Sequence, residues 1–405
     1  MLPTSTTKSN KDFSSDFPTA VQRGTRPHHN AKDCAGAGPG KSYDITINGR
    51  FLTQKLTGVQ RYCREIIMAM DKLLQDEDEA KRLRAKIVVP RAGANSLRPQ
   101  AIEMQPATSL RGGPLWTQCL LPFFAQGVLL SLGNIGPVLS PRQIVCIHDA
   151  NIHLAPESYS RAFRFYYRII QPLLAKTATQ VVTVSNFSAQ MLAEFKLCEL
   201  EKITVIPNGH EHVRCWEPAR STFAQGLANS RPFVFALGSL AKHKNVRILF
   251  EIAKELDALG LDLLVAGAPG RFFSPVEFAS APNVRIIGFV SDDDLAALYR
   301  QAFCFAFPSL TEGFGLPALE AMALGCPVIA SGCASLPEVC GQAALYADPK
   351  SPRAWIEQIQ RLHTEQGLSE RMRSDGFRQA RKFSWTQSAQ LYLDIISSHI
   401  RRSGS

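Results

Sequence analysis

Apolar residues in this chain fall into short runs, separated by helix-length stretches in which they recur every three or four positions. The runs at 43–48, Ile87–Val89, Val128–Leu132, Ile144–Ile147, Val181–Val184 and Ile203–Ile206 predict strands. Consecutive apolar positions suit strands covered on both faces, as in a parallel sheet. Between them Gly58–Leu74, Ser158–Lys176 and Ser188–Phe195 read as helices, and in the first Val59, Tyr62, Ile66, Ile67 and Met70 share one side. Pro207-Asn208-Gly209 breaks the series, and His210 to Pro232 holds no clear strand. A second series follows, with strands Phe233–Leu237, Leu261–Ala266, Val284–Phe289, Cys304–Phe307, Val328–Ala330 and Ala344–Tyr346. Its helices are Asn245–Leu259, Asp292–Gln301, Pro317–Leu324 and Pro352–Glu365. A last helix is expected over Thr386–Ile396, with Ser384 able to cap it. The alternation predicts an α/β protein with two Rossmann-like, doubly wound parallel-sheet domains facing across a cleft. The expected division is a disordered or peripheral tail over 1–41, one domain over 42–215, a second over 216–380, and a helix over 381–405 that returns to the first.

Composition narrows this little. A chain of 405 residues that is 45% hydrophobic is neither disordered nor fibrous, and its length suits two cores. The ten cysteines form no CxxC, and Cys146, Cys304 and Cys326 lie inside apolar runs. That is a reducing-compartment pattern. Residues 1–41 carry no apolar leader and no run of 18 apolar residues occurs, so a cytoplasmic protein is expected. Charge matters more. Lys plus Arg is 45 against 35 Asp plus Glu, a net +10. Basic residues gather in the tail, at Lys81, Arg82, Arg84, Lys86, Arg91 and Arg98, and at Arg401-Arg402. Such clusters serve lipid headgroups, nucleotides or nucleic acid, or are plain solvated faces. Basic strands interleaved with aromatics and a recognition helix are both missing, so no nucleic acid partner is expected.

Ligands of open α/β sheets bind beyond the carboxyl ends of the strands, and the candidate chemistry sits there. Ser309 to Glu320 follows the strand at 304–307 and enters a helix. Gly313 and Gly315 admit a close ligand, Pro317 suits the first helical turn, and the N–H groups of Phe314, Gly315 and Leu316 stand at a helix start that favours anions. Glu312 and Glu320 can place two carboxylates at one cleft, one for sugar hydroxyls and one for a ribose diol. Gly238-Ser239-Leu240-Ala241-Lys242-His243-Lys244 follows the strand at 233–237 and suits a phosphate, with Lys244 as the main charge. Thr57-Gly58-Val59 opens a helix whose N–H groups can meet a diphosphate. His148 ends the strand at 144–147 and is expected to face the cleft mouth, where it could bind a sugar hydroxyl or instead be tied to Asp149. Gly267 and Val290 are further strand-end positions, the latter placed to read a base edge.

GxGxxG after the first strand, GxxxxGK[ST] and HExxH are all missing, which argues against nicotinamide dehydrogenases, P-loop nucleotidases and zinc proteases. Asp292-Asp293-Asp294 reads as a helix cap rather than a metal site. Phosphate charge would then fall to lysine and backbone dipoles, with no metal and no cofactor required.

Glu312…Glu320, Gly238…Lys244-Asn245 and Ser185-Asn186…Ile206-Pro207-Asn208-Gly209 together resemble retaining glycosyltransferases of family 4, whose fold is called GT-B. Gly49-Arg50-Phe51…Leu56-Thr57-Gly58-Val59-Gln60-Arg61-Tyr62 resembles the start of that family's bacterial exopolysaccharide and lipopolysaccharide mannosyltransferases. The resemblance covers about 44 to 396. It implies that Glu312 contacts the donor sugar, Glu320 the ribose, Lys244 the diphosphate, Gly58 the same diphosphate and His148 the sugar. It implies a nucleoside diphosphate sugar as donor, GDP-mannose favoured, held by the domain over 216–380, and a glycan or lipid-linked acceptor, held by the domain over 42–215, at the inner membrane surface, where the protein would be peripheral. A UDP-glucose or other UDP-sugar transferase, a non-transferring nucleotide-sugar enzyme, and a nucleic-acid-binding or scaffold protein are the alternatives. One departure stands out: Ser239 and His243 occupy positions where many members carry arginine.

Overall fold

The computed structural model describes residues 42–76, 83–90, 97–107, 112–140, 142–223, 226, 231–238, 241–267 and 281–404. Ser239, Lys81, Arg82, Arg91 and the tail 1–41 lie outside them.

Two parallel sheets carry the chain. The first has strands β1 (Ile45–Asn48), β2 (Ala85–Pro90), β3 (Glu103–Ala107), β4 (Val128–Ser131), β5 (Gln143–Cys146), β6 (Gln180–Thr183) and β7 (Ile203–Val205), in the order β3-β2-β1-β4-β5-β6-β7. The second has β8 (Phe233–Leu237), β9 (Asp262–Ala266), β10 (Val284–Gly288), β11 (Cys304–Phe307), β12 (Val328–Ser331) and β13 (Ala344–Ala347), in the order β10-β9-β8-β11-β12-β13. In both, the order reverses between the first strand and the fourth. Loops leaving those two strands diverge to opposite faces and open a crevice, which is where such sheets bind ligands. The central strands are wholly buried, as their unbroken apolar runs require: every residue of β1, β4, β5 and β11 is buried.

The longer helices are α1 (Gly58–Leu73), α2 (Arg161–Thr177), α3 (Asn186–Glu194), α4 (Asp292–Gln301), α5 (Leu316–Ala323), α6 (Pro352–Thr364), α7 (Leu368–Ala380) and α8 (Trp385–Gly404). In α1 the buried residues Tyr62, Cys63, Ile66, Ile67 and Met70 form one stripe. The predicted helix at 245–259 is two short ones, Arg247–Glu251 and Ala253–Ala258, interrupted at Ile252. Ser384 does cap α8, its Oγ accepting the Gln387 N–H at 3.4 Å. At α4 the cap is Ser291, which completes a capping box with Asp294. Burial alone would raise the Asp294 carboxyl, but hydrogen bonds from Ser291, Ser221 and Thr222 bring it down to about 2. The three aspartates therefore part company: Asp294 caps, Asp293 accepts the Glu217 N–H at 2.7 Å, and Asp292 turns to the cleft.

The chain passes between the sheets twice, and the two passages are clasped. His210 Nδ1 lies 2.7 Å from the Phe383 carbonyl, and the Trp385 N–H donates to Glu211 at 2.9 Å. A Cβ on Gly209 would fall 2.1 Å from the Trp385 nitrogen, so the contact admits only glycine. Helix α8 then packs on α1, where Tyr62 and Tyr392 share a hydroxyl hydrogen bond of 2.8 Å.

Candidate functional site

The loops at the crevice of the second sheet converge. The one after β8 makes a single 3-10 turn, Lys242–Lys244, closed by Asn245 in the left-handed region. Asn245 Nδ2 donates to the Pro308 and Pro349 carbonyls, at 3.1 and 2.7 Å. That bolts the lysine turn to the end of β11. The result is a direct ion pair, Lys244 Nζ to Glu312 Oε1 at 2.7 Å. Lys244 also lies 5.9 Å from the centre of the Phe307 ring.

The loop carrying Glu312 is held from both sides through its carbonyls. Ser335 Oγ reaches the carbonyls of Glu312 and Phe314, at 3.0 and 2.8 Å. From the first sheet, Ser185 and Ser188 donate to the Gly313 carbonyl, at 2.6 and 3.0 Å. Across a trans peptide the following N–H points the other way, so fixing these carbonyls also fixes the amides of 313 to 315. Gly313 is squeezed: an added Cβ would sit 2.8 Å from the His148 carbonyl. Gly315 has φ +100 and precedes α5 as its N-cap, with Pro317 in the first turn.

A cleft of about 380 Å³ opens beside this loop. Seven of the expected residues line it: Gly58, Gly238, Lys244, Gly267, Val290, Leu316 and Glu320. Around Gly58 nothing lies within 4 Å of a built Cβ. No packing of the protein itself thus demands a glycine there. Glu312 adjoins through Lys244, whereas Phe314 is buried with its ring edge-on to Phe383 at 5.5 Å. Lys242 is exposed. His243 turns to the first sheet, with Nδ1 2.8 Å from Ser158 Oγ and its ring stacked on Tyr159. Burial and the neighbouring Lys244 lower its pKa, so it adds no charge to the cleft.

His148 departs from expectation. Its ring is 5% exposed, lies against Tyr62 at 4.8 Å, and places Nε2 2.8 Å from the Leu132 carbonyl. A carbonyl only accepts, so Nε2 carries the proton. Burial brings the pKa down to about 4 and keeps the ring neutral. It is thus tied neither to the cleft mouth nor to Asp149, but to the backbone after β4.

Sequence reasoning missed Arg61 and His212. Arg61 sits one turn after Gly58, forms a two-pronged pair with Asp292, approaches Glu320 Oε1 at 3.7 Å and lies over the Trp216 ring at 5.3 Å. Its place on α1 was the available signal. His212 comes from the segment between the sheets. Trp385 Nε1–H donates to its Nδ1 at 2.9 Å, because an indole N–H cannot accept. The His212 proton is therefore on Nε2 and faces Glu320 Oε1 at 2.9 Å. Glu320, 4% exposed, is met by groups from two other parts of the chain, Arg61 and His212. Among the described residues, no group of three or more His, Cys, Asp or Glu could hold a metal ion.

Two parallel α/β lobes that face one another across a crevice have the architecture of the GT-B fold, and the chain is similar to glycosyltransferases of that fold. Residues 219–379 match the family model described as glycosyl transferases group 1. The chain resembles the bacterial lipopolysaccharide and exopolysaccharide mannosyltransferases: it is 29% identical over 267 residues to O-antigen chain mannosyltransferase B of Escherichia coli, spanning 62% of this chain and 70% of that one. In fold it is similar to a sucrose-phosphate synthase from Thermosynechococcus elongatus, with a TM-score of 0.67, 17% identity, and 88% and 100% of the two chains covered. It is similar also to Anabaena HepE in complex with UDP and glucose, with a TM-score of 0.65, 18% identity, and 87% and 99% covered.

Proposed function

We propose that the protein transfers a hexose, mannose from GDP-mannose, to a hydroxyl of a glycan or lipid-linked acceptor, with retention at the anomeric carbon. The Lys244–Glu312 pair at the start of α5 carries this reading. Without donor, each neutralises the other, which spares the cleft a half-buried unpaired charge. A diphosphate draws Lys244 away. The freed Glu312 then accepts hydrogen bonds from the sugar, and Glu320 accepts them from the ribose diol. Lys244 and the amides of 314 to 316 stabilise the charge that develops on the leaving phosphate, so no general acid is needed. The acceptor oxygen bonds to the anomeric carbon as its bond to the phosphate oxygen breaks. The acceptor proton passes to that departing oxygen on the same face. Arg61, at the cleft wall, supplies the second cation that Ser239 and His243 do not.

Mannose is favoured by likeness to the O-antigen mannosyltransferases, while HepE carries UDP and glucose and makes UDP-glucose the second reading. The proposed place of work is the inner membrane surface. No described helix is long and apolar enough to cross a membrane. On the outer side of α2, however, Phe165, Ile169 and Leu173 stand 71, 44 and 43% exposed, at four-residue spacing. Exposed Arg161, Arg168 and Lys176 accompany them, a composition that suits an anionic lipid surface. A screen of nucleoside diphosphate sugars for product release, with and without extracted lipid-linked acceptors, tests the proposal. Turnover of GDP-mannose with acceptor supports it. Turnover of UDP-glucose alone transfers the case to the second reading.

A further inference from the structure

Glu320 is reached from the passages between the lobes. After the first passage the chain makes a 3-10 turn, Glu211–Cys215, that ends on Trp216. Glu211 accepts the Trp385 N–H at 2.9 Å and a hydrogen bond from the Ser384 hydroxyl, so the turn is bound to the first residue of α8. Trp385 in turn donates its indole N–H to His212 Nδ1 at 2.9 Å, and His212 Nε2 lies 2.9 Å from Glu320 Oε1. The line Trp385–His212–Glu320 joins stretches that stand 173 and 108 positions apart in the chain.

Every member of that line is buried. Trp216 braces the His212 ring, edge to face with centres 5.3 Å apart, and the Arg61 guanidinium lies over the same indole. One tryptophan therefore steadies both groups that meet Glu320. The donation from Trp385 decides what His212 can do. With Nδ1 occupied as an acceptor, the ring carries its proton on Nε2 alone. Such a ring donates to the carboxylate and orients its charge without cancelling it. Arg61 Nε approaches the same oxygen, Oε1, at 3.7 Å. Both protein groups thus address one oxygen of a carboxylate that lines the cleft.

We infer that His212 is a positioning residue for the donor: it fixes Glu320 through Oε1, so that Oε2 is presented to the ribose diol, and Trp385 holds His212 to that task. A glutamate side chain turns freely about its bonds, and a directed hydrogen bond on one oxygen sets the angle of the other. The grip on the nucleoside is then built across both passages, not by the second lobe by itself. The inference rests on the reading of Glu320 as the ribose carboxylate, but it can fail while that reading stands.

The test measures, by calorimetry on the full-length protein, the affinities for GDP and UDP and for their 2′,3′-dideoxy forms, which lack the diol. The parent is expected to prefer the nucleotide it binds best over the dideoxy form by about tenfold or more, the loss usual when a charged hydrogen-bond partner goes unmet. Glu320→Ala is expected to abolish that ratio. His212→Leu is expected to bring it within about threefold, and His212→Gln, whose amide N–H takes the place of Nε2–H, to restore most of it. Trp385→Phe keeps a ring but no N–H; an intermediate ratio is expected there, which serves if His212→Leu does not fold. In turnover His212→Leu is expected to raise the donor KM more than it lowers kcat. A merely structural role for His212 would weaken both nucleotide forms alike, in step with the melting temperature, and leave the ratio unmoved. A ratio kept in His212→Leu or Trp385→Phe, or one lost in His212→Leu and not restored in His212→Gln, overturns the inference. Failure of GDP and UDP to bind, or a parental ratio that survives Glu320→Ala, strikes the donor reading itself, and the inference falls with it.

Discussion

The two lobes share one strand order and one place for a ligand, yet they fill that place with opposite chemistry. The second lobe presents charges that are already paired: Lys244 with Glu312, and Arg61, from the facing helix, with Asp292 and Glu320. The first presents aromatic rings and amides, with one oxygen left unpaired at Gln171. Topology supplies the crevice, and the loops decide what enters it. In the second lobe's crevice each charge is offset by its partner. In the first lobe the unpartnered Gln171 oxygen costs of order 1–3 kcal/mol.

The comparison is most easily broken at Lys244. Lys244→Ala is expected to lower kcat/KM for the donor by roughly 10²–10³, the usual loss on removing a group that stabilises developing charge. The acceptor KM should hardly move; an equal rise in both would mean that the lobes do not divide the work. Glu312→Gln sharpens the picture, because a diphosphate no longer competes with a carboxylate for Lys244. Turnover is expected to fall about 10²-fold while the bare nucleoside diphosphate binds as well as before, or a few-fold tighter, by calorimetry. Weaker nucleotide binding would show that the pair is not exchanged.

The third prediction concerns pH. His148 has a folded pKa of about 4, below the ordinary value of 6.5. Between those values the unfolded chain binds the proton and the folded one does not. The contribution is therefore complete above about pH 6.5 and lost as the pH falls toward 4, by about 3 kcal/mol in all. His148→Gln should flatten that part of the urea-denaturation stability profile relative to the parent. An unchanged slope would mean that the ring is solvated after all. The smallest effect is expected at Gly58→Ala, where a methyl meets no atom of the protein. Melting should shift by less than about 1 kcal/mol equivalent, while the donor KM rises several-fold.

Much of the fold was legible because most strands are unbroken apolar runs between breakers; β8 and β11 match their predicted limits. Strand β3 was invisible for the opposite reason. It is an edge strand, Glu-Met-Gln-Pro-Ala, with only its last residue buried, and an edge tolerates proline and polar side chains. Helix α7 was missed because its buried positions include Gly376 and Gln379 as well as Leu368, Met372 and Ala380, a stripe too polar to count as apolar periodicity. At the site, sequence named the residues at strand ends but not their partners. Lys244 and Glu312 are 68 positions apart, and His212 meets Glu320 across 108. His148 was misjudged because strand polarity gives the end at which a residue lies, not whether Leu132 and Tyr62 close over its ring. Gln171 lies within an unremarkable helical stretch, and only the folded geometry reveals an oxygen with nothing to bind.

The clasp of 209–211 against 383–385 has a consequence for how such a molecule can be rebuilt. Both ends of the second lobe leave from one point, so that lobe is a cassette plugged into a single socket. The family match, 219–379, falls wholly inside it. Cutting at both passages together would let that lobe be exchanged for another, with α8 and the first sheet left in place as the fixed chassis.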